Sequence, residues 1–370
     1  MRKVRLLLSV AFAAALLASQ PRLALGMGKD IGGDGRDDAA LIYRDSSTRV
    51  TVWAFDSSPG VLIPRILWHA TSSWSSAAIK PMLADVTGDG RADVVMAYNY
   101  GGTTTGLWVV PGAPGGSSPS LWWRSTHWKW SASKPTSTEA FSGSGPHNPV
   151  VLYDNGSSTS SLWVFNVHSG SLFTPYLAWK SNAGGFPWSR SKIVGGDFNG
   201  DGYGDVAVLY DFGGGTTGIY VFRSNGSKFT AKLAWKSAPG TWNWSRCTPL
   251  AGDVNGDGRD EIVVKYVYSA SSGSTAQTGL WTFADVGSSS PSLSKALWSK
   301  DTLPPTVFPV TLSDVTNDGR ADAVFLGTGS SDYGTSFNWI PSTGSSFDTG
   351  SMNNAWDSGS LSYPSCQLIP

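Results

Sequence analysis

The sequence contains two cysteines, four histidines and, within its acidic residues, only two glutamates, in a length of 370. Cys247 and Cys366 allow one disulfide at most, so disulfides do not hold the fold together. With Glu139 and Glu261 as the only glutamates, few side chains are available as a general acid of raised pKa. The histidines, His69, His127, His147 and His168, fall at unrelated points of the pattern described below, and no G-x-S-x-G, HExxH or P-loop occurs. Charged residues make up 15% and the formal net charge is zero, so composition shows no basic field for nucleic acid or an anionic membrane. Beyond the first 26 residues no stretch approaches the ~20 uninterrupted apolar residues of a membrane-spanning helix.

The first 26 residues read as a removable leader. Arg2, Lys3 and Arg5 form a basic start, and Leu6 to Ala18 form an apolar stretch too short to span a bilayer comfortably. Ala24 and Gly26 supply the small residues that precede cleavage before Met27. The expectation is a secreted protein, with residues 27–370 forming one domain.

What the chain has in abundance is glycine (44), tryptophan (18) and a repeated acidic phrase. DIGGDGRDD begins at Asp30, DVTGDGRAD at Asp85, DFNGDGYGD at Asp197, DVNGDGRDE at Asp253 and DVTNDGRAD at Asp314. An eroded copy, AFSGSGPHN, begins at Ala140. The steps are 55, 55, 57, 56 and 61, and 56 residues follow Asp314. A period of this length means a repeat architecture. In the best copy a short strand (residues 191–197) enters the acidic loop, and DVAVLY, IYVF and TAKLAWKS follow, separated by Gly, Asn, Ser and Thr turns. Four antiparallel strands per repeat, six times over, predict an all-β fold: a six-bladed β-propeller of four-stranded blades. The first acidic loop has no leading strand of its own. The last residues, SCQLIP, align with RCTPLA from Arg246, so the C-terminal strand is expected to join the N-terminal blade and close the ring. That alignment places Cys247 and Cys366 in non-adjacent blades, too far apart for a disulfide, so both are expected as free buried thiols.

In the acidic loop, positions 1, 3, 5 and 9 carry oxygen, and glycine at position 6 permits a sharp turn. Hard oxygens at alternate positions suit Ca²⁺, whereas zinc or copper would call for His or Cys. Position 12 is apolar (Met96, Val208, Val264, Phe325) and a strand follows, so this is not an EF-hand. The expected ligand sets are Asp197, Asn199, Asp201 and Asp205; Asp253, Asn255, Asp257 and Glu261; Asp85, Thr87, Asp89 and Asp93; Asp314, Thr316, Asp318 and Asp322; and Asp30, Asp34 and Asp38. The third copy offers Ser142, Ser144 and Asn148 and is expected to bind nothing. Up to five calcium ions follow from this count.

The phrase VxGDxNGDGxxD, followed by a Gly-rich turn and a YVF strand, resembles FG-GAP and VCBS repeats, best over Ile193 to Phe222. The resemblance implies an integrin α-like propeller whose calcium is structural, and it leaves function open. A partial similarity to fungal integrin-like propeller lectins, which also carry tryptophan-bearing connections, implies sugar binding between blades. The GFG tail of that lectin repeat is absent here.

The tryptophans fall into groups. Trp108, Trp163 and Trp281 sit in third strands, and Trp68, Trp123, Trp179, Trp235, Trp298 and Trp356 close fourth strands; all are expected to fill core. Trp74, Trp128, Trp130, Trp188, Trp242 and Trp244 lie in connections between blades. Within that group Trp74, Trp130, Trp188 and Trp244 read as structural. Trp128 and Trp242, with Phe186 in the matching place, read as exposed ligand-binding aromatics. The tyrosines that recur at second-strand ends (Tyr98, Tyr153, Tyr210, Tyr266) read as structural, and Asp154 and Asp211 as turn-shaping. The functional expectation is a non-catalytic binding module for carbohydrate. An adhesion or protein-binding propeller and a calcium-dependent polysaccharide lyase or hydrolase are the alternatives. The partner is a glycan or an extracellular protein rather than nucleic acid.

Overall fold

Runs of alternating apolar residues bounded by glycine turns become hairpins here, and each repeat becomes one sheet. The computed structural model describes residues 28–113, 115, 118–168, 171–268, 277–286, 292–299, 308–328 and 334–370, with the backbone alone for 294–299. The leader read from residues 1–26, and the side chain of Trp298, lie outside them.

Blade 1 contains β1 (Ala39–Ser46), β2 (Arg49–Ser58) and β3 (Val61–His69). Blade 2 is β4 (Ile79–Ala84), β5 (Asp93–Gly101), β6 (Thr104–Val110) and β7 (Ser120–Ser125). Blade 3 is β8 (Ser133–Thr138), β9 (Asn148–Asp154), β10 (Ser160–His168) and β11 (Leu172–Lys180). Blade 4 is β12 (Ser191–Gly196), β13 (Asp205–Gly213), β14 (Thr216–Ser224) and β15 (Phe229–Lys236). Blade 5 is β16 (Cys247–Gly252), β17 (Glu261–Val267), β18 (Gln277–Ala284) and β19 (Ser292–Ser299). Blade 6 is β20 (Val310–Ser313), β21 (Asp322–Thr328), β22 (Thr335–Ile340) and β23 (Asn353–Ser358). The last strand, β24 (Cys366–Leu368), pairs antiparallel with β1, with Leu368 opposite Leu41 and Cys366 opposite Tyr43. The six four-stranded sheets form a β-propeller ring.

The core lies between blades rather than within them. Ile42, Val52 and Leu67 of blade 1 pack with Leu83, Val94 and Met96 of blade 2. An equivalent cluster joins blade 6 to blade 1, where Phe55 meets Phe337 and Trp356 edge-on at 4.6 and 4.8 Å. Burying each such ring contributes about 1.5–3 kcal/mol.

Inner strands run from the tryptophan-bearing connections to the acidic loops, so the ring has a turn face and a loop face. In five blades a bulge in the outer strand falls beside the third-strand residue Trp53, Trp108, Trp163, Tyr220 or Asn338. Bulges re-aim side chains; here the extra outer-strand residues Leu67, Trp122, Ala178 and Ala355 are buried and Ala234 is half-buried. Both cysteines are free thiols, Cys247 buried and Cys366 half-buried. Burial pushes Cys247 up to about 12 and Cys366 up to about 11, which leaves both unreactive. Among the described residues no helix is long and apolar enough to cross a membrane.

Candidate functional site: acidic loops and aromatic platforms

The acidic loops line one face of the ring and are tied to each other. Position 8 of the second to sixth loops donates its backbone N–H to the position-1 carbonyl of the loop before it. The pairs are Ala92 to Asp30 (2.6 Å), His147 to Asp85 (2.8 Å), Gly204 to Ala140 (3.1 Å), Asp260 to Asp197 (3.0 Å) and Ala321 to Asp253 (2.7 Å). Position 7 packs over the position-4 glycine of the preceding loop. A Cβ on Gly200, which has φ +73°, would lie 2.7 Å from Arg259 Cγ.

Within a loop the position-1 carboxylate accepts from the turn. Asp85 takes the N–H groups of Gly88, Asp89 and Gly90 at 2.7, 3.2 and 2.9 Å. The position-9 side chain staples loop to strand. Asp93 accepts from Val86, Thr87 and Gly112, all at 3.0 Å, and Asp38 and Asp322 repeat the pattern. Asn148 does the same work in the third copy, accepting from Phe141 N at 2.8 Å. Position 9 is therefore needed by the fold whether or not a metal binds.

Among the described residues no three His, Cys, Asp or Glu side chains gather tightly enough to hold a metal by themselves. A cation in these loops would also draw on amide, hydroxyl and backbone oxygens. Loop 197–205 fits best. Asp205 is fully buried, its Oδ1 accepts from Ser224 N at 2.8 Å, and its Oδ2 is buried with no hydrogen-bond partner. Position 7 there is Tyr203. In three other loops an arginine at position 7 pairs with the position-5 carboxylate: Arg36 with Asp34, Arg259 with Asp257 and Arg320 with Asp318. Burial raises Asp38 and Asp93 to about 7, Asp205 and Glu261 to about 8 and Asp322 to about 6, with neighbouring carboxylates adding to each.

The expected exposed aromatics need correction. Trp128, Phe186 and Trp242 are only 9%, 7% and 8% exposed, wedged between blades. Trp242 meets Trp235 of one blade and Tyr266 and Trp281 of the next at 5.0–5.2 Å. Trp74 is their equivalent rather than that of Trp130. Its backbone N–H bonds to Thr48 O as those of Trp128, Phe186 and Trp242 bond to Thr103, Ser158 and Gly215. Trp130, Trp188 and Trp244 are partly exposed and structural, as their spacing predicted. Each opens a single 3-10 turn and donates Nε1 to Ala97, Leu152 or Leu209 O at 2.9–3.0 Å. Lys80, Lys134 and Lys192 lie over these rings at 3.9, 3.7 and 4.4 Å and donate to the carbonyls of the same turns. A buried ring offers a sugar no face, so the sugar reading loses those three residues.

A different aromatic set, missed in the sequence, reaches solvent at the turn face. Tyr100, Phe212 and Tyr268 stand seven residues after position 9 of their loops. Each covers a third-strand glycine: a Cβ on Gly106, Gly218 or Gly279 would come within 2.6–3.0 Å of the ring. Trp108 Nε1 donates to Tyr100 Oη at 2.8 Å, and Trp281 Nε1 to Tyr268 Oη at 2.9 Å. Phe212 stacks on Tyr220 at 6.1 Å. Arg124 lies over Tyr100 at 4.6 Å, and Lys236 over Phe212 at 4.2 Å. Tyr100 is 38% exposed. The joint occurrence of an aromatic at this position and a glycine in the next strand was the available signal.

At the axis, inner strands and Lys29 enclose a cavity of about 70 Å³, well under the ~300 Å³ of a small-molecule pocket. Lys29 is buried there and donates to Thr311 Oγ1 and Leu312 O at 3.1 and 3.0 Å.

Ring and loops together define a six-bladed β-propeller assembled on acidic turn repeats. Residues 197–264 match the family model described as FG-GAP-like repeat, so the chain is a propeller carrying an FG-GAP-like repeat. Among solved structures it is similar to AofleA from Arthrobotrys oligospora, at 12% identity over 93% of this chain and 91% of that one, with a TM-score of 0.48. An arginine-to-alanine triple mutant of AofleA gives 11% identity, the same coverages and a TM-score of 0.49. A puromycin hydrolase mutant complexed with PGG gives 13% identity over 90% of this chain and 56% of that one, with a TM-score of 0.30. Likeness at this level says nothing about ligand or activity. A search of curated proteins found no match.

Proposed function

We propose that the chain is a secreted, non-catalytic binding propeller that takes carbohydrate at the aromatic platforms of the turn face, with calcium as a structural ion in its acidic loops. The repeated platform carries this reading: Tyr100 with Trp108 and Arg124, Phe212 with Tyr220 and Lys236, and Tyr268 with Trp281. Half-exposed rings beside long hydrogen-bond donors offer apolar and polar surface side by side, as sugar recognition requires. Glycan-array binding by wild type, lost in a Tyr100→Ala/Phe212→Ala variant that melts normally, is the expected result. Wild type that captures no glycan would end the reading.

For calcium, Asp197, Asn199, Asp201 and Asp205 supply the strongest donor set, and the unpartnered Asp205 oxygen supports it. A bound ion would neutralise carboxylates that crowd one another in a tight turn. A protein ligand is the second reading. Val61, Ile63 and Ile66 on the unpaired edge of blade 1 are 46–54% exposed and favour it. Retention of a protein partner by Tyr100→Ala/Phe212→Ala, together with an empty glycan array, is the result that would select it.

A further inference from the structure

A formal net charge of zero conceals a polar ring. Among the described residues only Asp45, Asp154, Asp211 and Asp357 bring carboxylates to the turn face; every other Asp and Glu lies at or beside the loop face. The turn face instead carries a basic ladder. Arg124, Lys180 and Lys236 stand at or one residue before the ends of the outer strands of three consecutive blades, each directly after the tryptophan that closes the strand, and His69 holds the same place in blade 1, where its Nδ1 meets Thr51 Oγ1 at 2.7 Å. They hold one register: Thr51 faces His69, Gly106 faces Arg124, Ser161 faces Lys180 and Gly218 faces Lys236. All four are exposed, and Lys129 and Arg190 add exposed charge in the adjoining turns.

We infer that the ligand of the turn face is an acidic polysaccharide, its carboxylate or sulfate groups taken by this ladder. The inference rests on the carbohydrate reading above and narrows it. Two platform rings are already occupied on both sides, by a backbone glycine beneath and a cation above. What they present to a ligand is therefore a positioned charge beside an aromatic edge, rather than a bare ring for stacking. That arrangement disfavours single-stranded nucleic acid, which binds basic grooves by stacking bases on open aromatic faces. Three charged blades in sequence also favour a polymer over a single sugar, because linked contacts gain from effective concentration.

The test compares the full chain binding to oligogalacturonate, to the same oligomer methyl-esterified, to heparin, and to single-stranded DNA of similar length. Oligogalacturonate or heparin should bind, the better of the two reporting whether carboxylate or sulfate is preferred, and the neutral ester should bind about tenfold or more weakly. Binding should weaken as the Debye length falls from about 10 Å at 0.1 M salt to about 3 Å at 1 M. An Arg124→Gln/Lys180→Gln/Lys236→Gln variant should lose the acidic ligand yet melt like wild type, because the three side chains are exposed. Equal binding of ester and acid, unaffected by the triple substitution, overturns the inference while leaving the carbohydrate reading intact. No glycan binding at all overturns both. DNA bound more tightly than either acidic glycan, with the same salt and variant dependence, assigns the ladder to nucleic acid and overturns the inference as well.

Discussion

Trp242 and Tyr100 show how differently two aromatics of one repeat can be employed. Trp242 is wedged among four rings of two blades, so Trp242→Ala should cost about 3–5 kcal/mol, read as a lowered denaturant midpoint. Tyr100→Ala should cost about 1 kcal/mol and act on binding instead. A wild-type midpoint in Trp242→Ala would return that residue to the ligand set. Glu139 makes a separate residue-scale prediction. Burial raises its carboxyl from 4.5 to about 7, with Asp197 adding repulsion. The folded state then holds its proton more tightly than the unfolded chain does. Its contribution is fully present below about 4.5 and is lost as pH rises through about 7. Glu139→Gln should therefore change little at pH 4 and add on the order of 2 kcal/mol at pH 8, at about 1.4 kcal/mol per pKa unit with allowance for partial solvent access. Equal gains at both pH values would show that titration is not the cause.

The acidic loop is the element whose role the structure divides. Its spacing pointed to oxygen ligation, and five copies set the period of the fold. The sequence could not show that position 9 is a staple, because a carboxylate that ligates and one that accepts three amide N–H groups are the same letter. Asn148 in the metal-poor copy reveals the second use, since an amide oxygen accepts as a carboxylate does. Nor could spacing decide which tryptophan of the W-x-W turn is buried. That depends on where the 3-10 turn starts, and Trp130 starts it while Trp128 fills the wedge. For calcium the loops are expected to be unequal. Saturating Ca²⁺ at 100 times Kd should add about 2.7 kcal/mol per site. Asp205→Asn should remove most of that gain, whereas Asp93→Ala, which leaves three backbone N–H groups without their acceptor, should lower stability with or without the ion. A full calcium response in Asp205→Asn would move the site elsewhere. The outer edges are guarded by their own residues: Pro64 in β3 and Pro175 in β11 interrupt donors, and Lys232 and Lys236 charge β15.

At the scale of the molecule, the period made the ring legible while the charge summary hid its polarity. Equal numbers of acids and bases sum to zero in any arrangement, and only strand direction sorts them onto two faces. Ring integrity depends on junctions that are alike in kind, because each core cluster is shared by two blades. The junction of blades 6 and 1 differs in one respect: the inner strand of blade 1 is β24, from the other end of the chain. Leu368 is buried there, Ile369 is buried in the cluster that blade 1 shares with blade 2, and Ile369 N donates to Ala40 O at 3.0 Å. Removing Cys366–Pro370 takes away two buried side chains, about 3–6 kcal/mol by area, and exposes the edge of β1. The loss should spread unevenly. Amides of β1 and β2 should exchange with solvent first, those of blades 6 and 2 next, and those of blades 3 and 4 should stay protected, since the junction between them is untouched. The melting transition should broaden as cooperativity around the ring fails. Supplying the missing strand as a separate peptide should restore both protection and sharpness. If β1 stays protected after the deletion, or if all six blades loosen together, β24 is not the latch of this ring.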